Sequence, residues 1–104
     1  MESILNSPQP PSIRWTKSAF QYLEAAVQHV ASESPQAAEA LAKKILMGVN
    51  TLVDHPEIGR PGRCKGTREL FIGGTPYIVP YRVKSQQVEI LRVLHGAKKW
   101  PSKL

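Results

Sequence analysis

Apolar positions recur at intervals of three and four in the first half of the chain and alternate or run together in the second. From Lys17, the spacing of Phe20, Leu23, Val27 and Val30 predicts a helix ending near Ser32. Thr16 is the expected N-cap, with Trp15 and Phe20 placed as a hydrophobic staple. Ser34 then caps a second helix with Pro35 at its first position, where the missing N–H costs nothing. Its inward face is Ala38, Leu41, Ile45, Val49 and Leu52, and His55-Pro56 is its stop, because a residue before proline disfavours the α region. The short join makes these helices an antiparallel hairpin.

From Thr67 the periodicity changes. Thr67–Ile72, Tyr77–Val83 and Val88–Leu94 are β-branched and aromatic runs separated by Gly73-Gly74-Thr75-Pro76 and a polar Lys-Ser-Gln-Gln turn, which predicts three successive antiparallel strands. Pro80 cannot donate to a ladder, so a bulge or an unpaired N–H position is expected there. Val88–Leu94 is apolar on both alternations apart from Glu89 and Arg92, as in a strand covered on much of both faces. Ile13, Arg14 and Trp15 form a possible short leading strand. Pro56–Arg63, with two prolines and two glycines, reads as a linker without regular structure that continues to Gly66. The expected fold is α+β: an N-terminal antiparallel helical hairpin packed on one side of a small, twisted, mainly antiparallel sheet. It forms a single domain over residues 13–104, after a flexible, proline-bearing segment over 1–12.

Charge sharpens this division. Residues 1–59 hold four basic side chains (Arg14, Lys17, Lys43 and Lys44) against six acidic ones, a balance of −2. Residues 60–104 hold ten against Glu69 and Glu89, a balance of +8, and Arg60, Arg63 and Lys65 deliver positive charge to one rim of the sheet. Such a field favours polyanions or acidic protein segments, although solvation of the surface alone explains basic side chains equally well. One cysteine, Cys64, excludes an internal disulfide and a cysteine-based zinc site. No leader pattern and no apolar run near membrane-spanning length is visible, so a soluble, cytoplasmic protein without membrane contact is expected.

Candidate chemistry is sparse. His29, His55 and His95 do not fall at i, i+4, so neither a metal site nor a cofactor is expected. Gly73-Gly74 is a turn signal, and no nucleophile elbow is present. What remains is His95, Lys98, Lys99 and Trp100 after the last strand, beside Arg82, Arg92, Arg68 and Glu69. Cleavage of RNA by its own 2′-hydroxyl needs a base, an acid and cations; Glu69 and His95 would supply the first two, and Arg82 or Lys98 the third. Trp100 or Tyr77 would stack a base. The plainer alternatives are that His95 is structural, that Arg82 and Arg92 pair with Glu89 or Glu69, and that Trp100 plugs the sheet edge.

Four segments resemble the RelE/ParE superfamily of type II toxin–antitoxin toxins, and its ParE-like branch most closely: His55–Arg60, Arg68-Glu69-Leu70, Pro76–Val83 and Val88–Pro101. The likeness spans Ile13 to Pro101. It implies a small basic toxin neutralised by a cognate antitoxin, whose acidic or amphipathic C-terminal segment would wrap the hairpin at Phe20, Leu23, Val27, Leu41 and Ile45. It implies one of two targets, DNA gyrase for ParE-like members or the ribosome and its mRNA for RelE-like ones. Where ribosome-dependent members set alternating lysines after the helices, this chain reads Arg68-Glu69-Leu70-Phe71, and where they end on an arginine and a tyrosine it has His95, Lys98, Lys99 and Trp100. The departures favour growth arrest by gyrase binding through Arg68, Arg82, Arg92, His95, Lys98, Lys99 and Trp100. The alternative is an mRNA endonuclease using Glu69, Arg82, His95 and Lys98; a plain nucleic-acid-binding module ranks third.

Overall fold

The computed structural model describes residues 11–104. Strand β1, Ser12–Trp15, leads into α1, Lys17–Ala31, through Thr16, whose hydroxyl accepts from Ala19 N–H and donates to the Ile90 carbonyl. One side chain thus caps the helix and ties the turn to the sheet. Helix α2, Pro35–Asn50, is capped as expected, with Ser34 accepting from Ala37 N–H and Pro35 in the first turn. It closes earlier than His55-Pro56, tightening into a 3-10 turn over Thr51–Val53. There the Thr51 hydroxyl donates to the Gly48 carbonyl, satisfying a group that the ending helix orphans.

The remaining elements are β2 (Arg60–Pro61), β3 (Arg68–Phe71), β4 (Tyr77–Lys84), β5 (Gln87–Ile90) and β6 (Leu94–His95). They form one sheet in the order β1-β5-β4-β3-β2, with β1 parallel to β5 and the other pairs antiparallel. β6 returns to β4 alongside β5, and the register between them slips. Tyr81 faces Ile90, but Ile78 faces Leu94, so Leu91, Arg92 and Val93 stand opposite only Val79 and Pro80. This is a bulge at the proline, as expected, and the Leu91 N–H reaches the Pro80 carbonyl there. The expected single strand over Val88–Leu94 is accordingly two. The linker too holds a short strand: Arg60 pairs with Glu69 because a turn closed by Gly62 N–H to Thr67 C=O folds the loop back.

The hairpin packs on one face of this sheet. Ala19, Leu23 and Ala26 of α1, with Leu41, Ile45 and Val49 of α2 and Leu52 beyond it, meet Leu70, Tyr77, Val79, Tyr81, Val88 and Ile90. The inward face of α2 is the one read from sequence; that of α1 is rotated so that alanines lie at its centre. Phe20, expected inward, is 52% exposed, and Val27 and Val30 lie at the margin. The expected flexible segment 1–12 lies, for residues 1–10, outside the described residues, and Ser12 already belongs to β1.

Candidate functional site

Strand alternation and register sort the charged residues onto the two faces. Tyr77, Val79 and Tyr81 point toward the helices, so Ile78, Pro80, Arg82 and Lys84 of β4 point away, as do their partners Glu69, Phe71, Glu89 and, one strand further, Arg14. Two carboxylates anchor this helix-free face. Glu89 sits between Arg14 and Arg82, directly opposite both in register, and bonds them at 2.8 and 2.6 Å. Glu69, 1% exposed, accepts from Arg60 Nε and Nη2 at 3.2 and 3.0 Å and from the Arg63 backbone N–H at 2.9 Å, with Arg63 Nε 3.8 Å away. The hydrogen bond from Arg82, aided by Arg14, holds the Glu89 carboxyl below its ordinary value despite partial desolvation.

Two of these arginines also lie over aromatic rings. The Arg60 guanidinium is 4.3 Å from the centre of Phe71, and that of Arg63 is 3.6 Å from the centre of Trp100. Trp100 in turn donates its indole N–H to the His95 carbonyl. The tail is fastened nearby by Lys98 N–H to the same carbonyl and by Gly96 N–H to the Pro76 carbonyl. His95 Nδ1 accepts from the Ala97 N–H, which fixes the ring's orientation in the turn. Its ring stands edge-on to Tyr77 at 5.5 Å, in a cleft shared with Tyr22 and His29 of α1 and with Lys98, Lys99 and Trp100.

The expected cluster is therefore divided. His95, Lys98, Lys99 and Trp100 do come together, at the Tyr77 end of β4. Arg82 lies five residues along that strand, roughly 16 Å away, engaged with Glu89. Arg92 turns toward α1, with its guanidinium 5.6 Å from the Tyr22 ring and one Nη donating to the Leu91 carbonyl. Arg68 bonds the carbonyls of Glu57 and Gly59. Glu69 pairs across from Pro80, on the other face from Tyr77 and its neighbour His95, and both of its oxygens are taken by arginine groups. A base–acid pair of Glu69 and His95 does not form in this geometry. Of the residues expected to meet an antitoxin, Leu23, Leu41 and Ile45 are core residues facing the protein's own sheet, and only Phe20 and, marginally, Val27 reach the surface. The outward apolar side chains of the hairpin are Phe20 and Tyr22 on α1 and Leu46 and Met47 on α2.

Sequence reading put Arg60 and Arg63 on one rim of the sheet but gave them no site role, and it assigned none to Arg14 or Phe71. The Arg60-x-x-Arg63 rim was the available signal; what made it specific is the fold-back of β2, which puts both arginines on one buried carboxylate. Among the described residues, no cluster of His, Cys, Asp and Glu suits a metal ion and no helix is long and apolar enough to cross a membrane.

Comparison with known proteins agrees with this architecture. Residues 13–100 match the family model of the ParE toxin of the type II toxin–antitoxin system parDE. "Putative toxin Y4kP" of Sinorhizobium fredii is 42% identical over 92 residues, covering 88% of this chain and 95% of its own. Toxin RelE2 of Caulobacter vibrioides is 32% identical over 84 residues, covering 81% and 93%. Among solved structures, the chromosomal ParDE system of P. aeruginosa superposes with a TM-score of 0.74 at 31% identity, over 82% of this chain and 95% of that one. The RelBE2 toxin–antitoxin complex of Mycobacterium tuberculosis superposes at 0.58 with 26% identity, over 88% and 98%. By family model, relatives and fold together, this chain belongs to the ParE toxin family of type II toxin–antitoxin systems, within the RelE/ParE superfamily.

Proposed function

We propose that this toxin arrests growth by binding DNA gyrase and not by cutting mRNA, and that a cognate antitoxin restrains it in the cytoplasm. The observation that carries the target assignment is the state of Glu69: the carboxylate best placed by sequence to act as a base is enclosed, bonded by Arg60 and the Arg63 backbone, and turned away from His95. A general base must reach the proton that it removes. The surface offered to a target is the tail cluster of His95, Lys98, Lys99 and Trp100, at the Tyr77 end of β4 beside α1, with Arg82 on the helix-free face and Arg68 and Arg92 adding positive charge elsewhere. Phe20, Tyr22, Leu46 and Met47 on the outer hairpin suit the apolar side of an antitoxin segment, and the cationic half suits its acidic side.

Induced expression with transcript mapping tests this reading. Growth stops, mRNA stays intact during the arrest, and co-expression of an adjacent acidic-tailed partner restores growth. Codon-dependent cuts appearing at the onset of arrest would transfer the protein to the ribonuclease reading.

A further inference from the structure

Most arginines of the sheet half are engaged. Arg14, Arg60, Arg63 and Arg82 each reach a carboxylate, and Arg68 bonds two loop carbonyls. Arg92 reaches no carboxylate among the described residues. Its Nη1 donates to the Leu91 carbonyl at 2.7 Å, and its Nε is the one buried side-chain nitrogen or oxygen among the described residues without a hydrogen-bond partner. A desolvated donor left unpaired lowers the stability of the free protein, and a bound acceptor would relieve that cost. The Leu91 bond uses Nη1, so the opposite edge, formed by Nε and Nη2, is the one left open, and that edge can hold a carboxylate through two parallel bonds.

The surroundings define what could bring the carboxylate. In the bulge opposite Val79 and Pro80, Arg92 falls between the core residues Ile90 and Val93 and stands against α1, with its guanidinium 5.6 Å from the Tyr22 ring. Tyr22 is 38% exposed. From it a cleft of about 290 Å³ runs past Ala25, Ala26, Val93 and Leu94, and none of its lining residues is acidic. We infer that Arg92 is a specificity-determining residue for the antitoxin: it takes one carboxylate of the acidic segment, which the Tyr22 ring shifts to admit, while the segment's apolar side lies along α1. The inference rests on the reading that an acidic antitoxin restrains this toxin, and it adds the residue that reads the charge. A peptide suits the site better than a nucleic-acid strand does. A strand needs cations in series along its phosphates, whereas here one guanidinium stands against aromatic and apolar surface.

The test is the affinity of the purified full-length toxin for the purified product of the adjacent antitoxin gene, followed by surface plasmon resonance. Arg92→Met keeps the packed stem and should weaken binding about 10- to 100-fold, chiefly through faster dissociation. Arg92→Lys keeps the charge without the fork and should still bind about 10-fold more weakly than the parent chain. Lys84→Gln, an exposed charge on the other face, should change affinity by about twofold at most. The melting temperature of free Arg92→Met should be unchanged or raised, because the lost group was unpaired in the free toxin. Arg92→Glu should abolish tight binding, and replacing the antitoxin's acidic residues by arginine one at a time should restore it at one position. Parent-like affinity of Arg92→Met, an equal loss in Lys84→Gln, a markedly lower melting temperature of free Arg92→Met, or no restoring position would each overturn the role of Arg92 alone. Failure of the parent toxin to bind the antitoxin would overturn the underlying reading and the role of Arg92 with it.

Discussion

Tyr81 shows how a single side chain can organise a loop. It is fully buried, and its hydroxyl donates to the Pro56 carbonyl and accepts from Gly59 N–H, each at 2.8 Å. Burial, only partly offset by the Gly59 hydrogen bond and Arg68, raises its pKa above the ordinary 10.0. The folded state thus resists ionisation, and this contribution to stability is present below pH 10 and lost as the pH rises through the folded value. Tyr81→Phe should cost about 1–3 kcal/mol in denaturant unfolding, since it strands two backbone groups. Gly59 admits no larger residue: a Cβ there would lie 2.6 Å from the Tyr81 ring. Glu89 works at the other end of the pH scale. Its depressed pKa makes the two-arginine clamp fully stabilising above the ordinary value of 4.5 and progressively weaker as the pH falls through the folded value. Melting temperatures measured downward from neutrality should therefore fall less steeply for Glu89→Gln than for the parent chain. Glu69→Gln removes an acceptor bonded by charged groups at a buried position, with an expected loss of about 1.5–3 kcal/mol, measured by chemical denaturation.

At the scale of elements, most of the architecture was legible because periodicity and capping agree. Thr16, Ser34-Pro35 and the apolar face of α2 stand where the pattern put them. The rest depended on pairings that no local pattern encodes. β2 is two residues long in a stretch rich in proline and glycine, and it exists only because the chain returns to β3. The break between β5 and β6 follows from Pro80 on the neighbouring strand, so the sequence of Val88–Leu94 contains no sign of its position. The turn from β4 to β5 has a cost that sequence reading did not register. Ser85 and Gln86 both have positive φ, at 50° and 61°, in a two-residue hairpin whose geometry favours Asn-Gly. Ser85→Asn with Gln86→Gly should raise stability by about 1 kcal/mol in the same denaturation experiment.

The whole molecule is a near-neutral helical layer carrying a strongly basic sheet, and this asymmetry was visible in composition alone. Its organisation was not. Sequence proximity suggested one cluster around His95, whereas the strands distribute the cations between a tail group, two clamps, Arg68 on the Glu57–Gly59 loop and Arg92 against Tyr22 of α1. Glu69 could be taken for a catalytic base only while Arg60 and Arg63, nine and six residues upstream, had no known place in the sheet. With its carboxylates held by arginines, the basic half is suited to docking. The most direct measurement is therefore the conversion of relaxed plasmid to supercoiled plasmid by purified gyrase with increasing toxin. Dose-dependent inhibition at micromolar toxin, relieved by the antitoxin, is the predicted result; full supercoiling at those concentrations, with codon-dependent cleavage of mRNA by the same preparation in a translation extract, would contradict it.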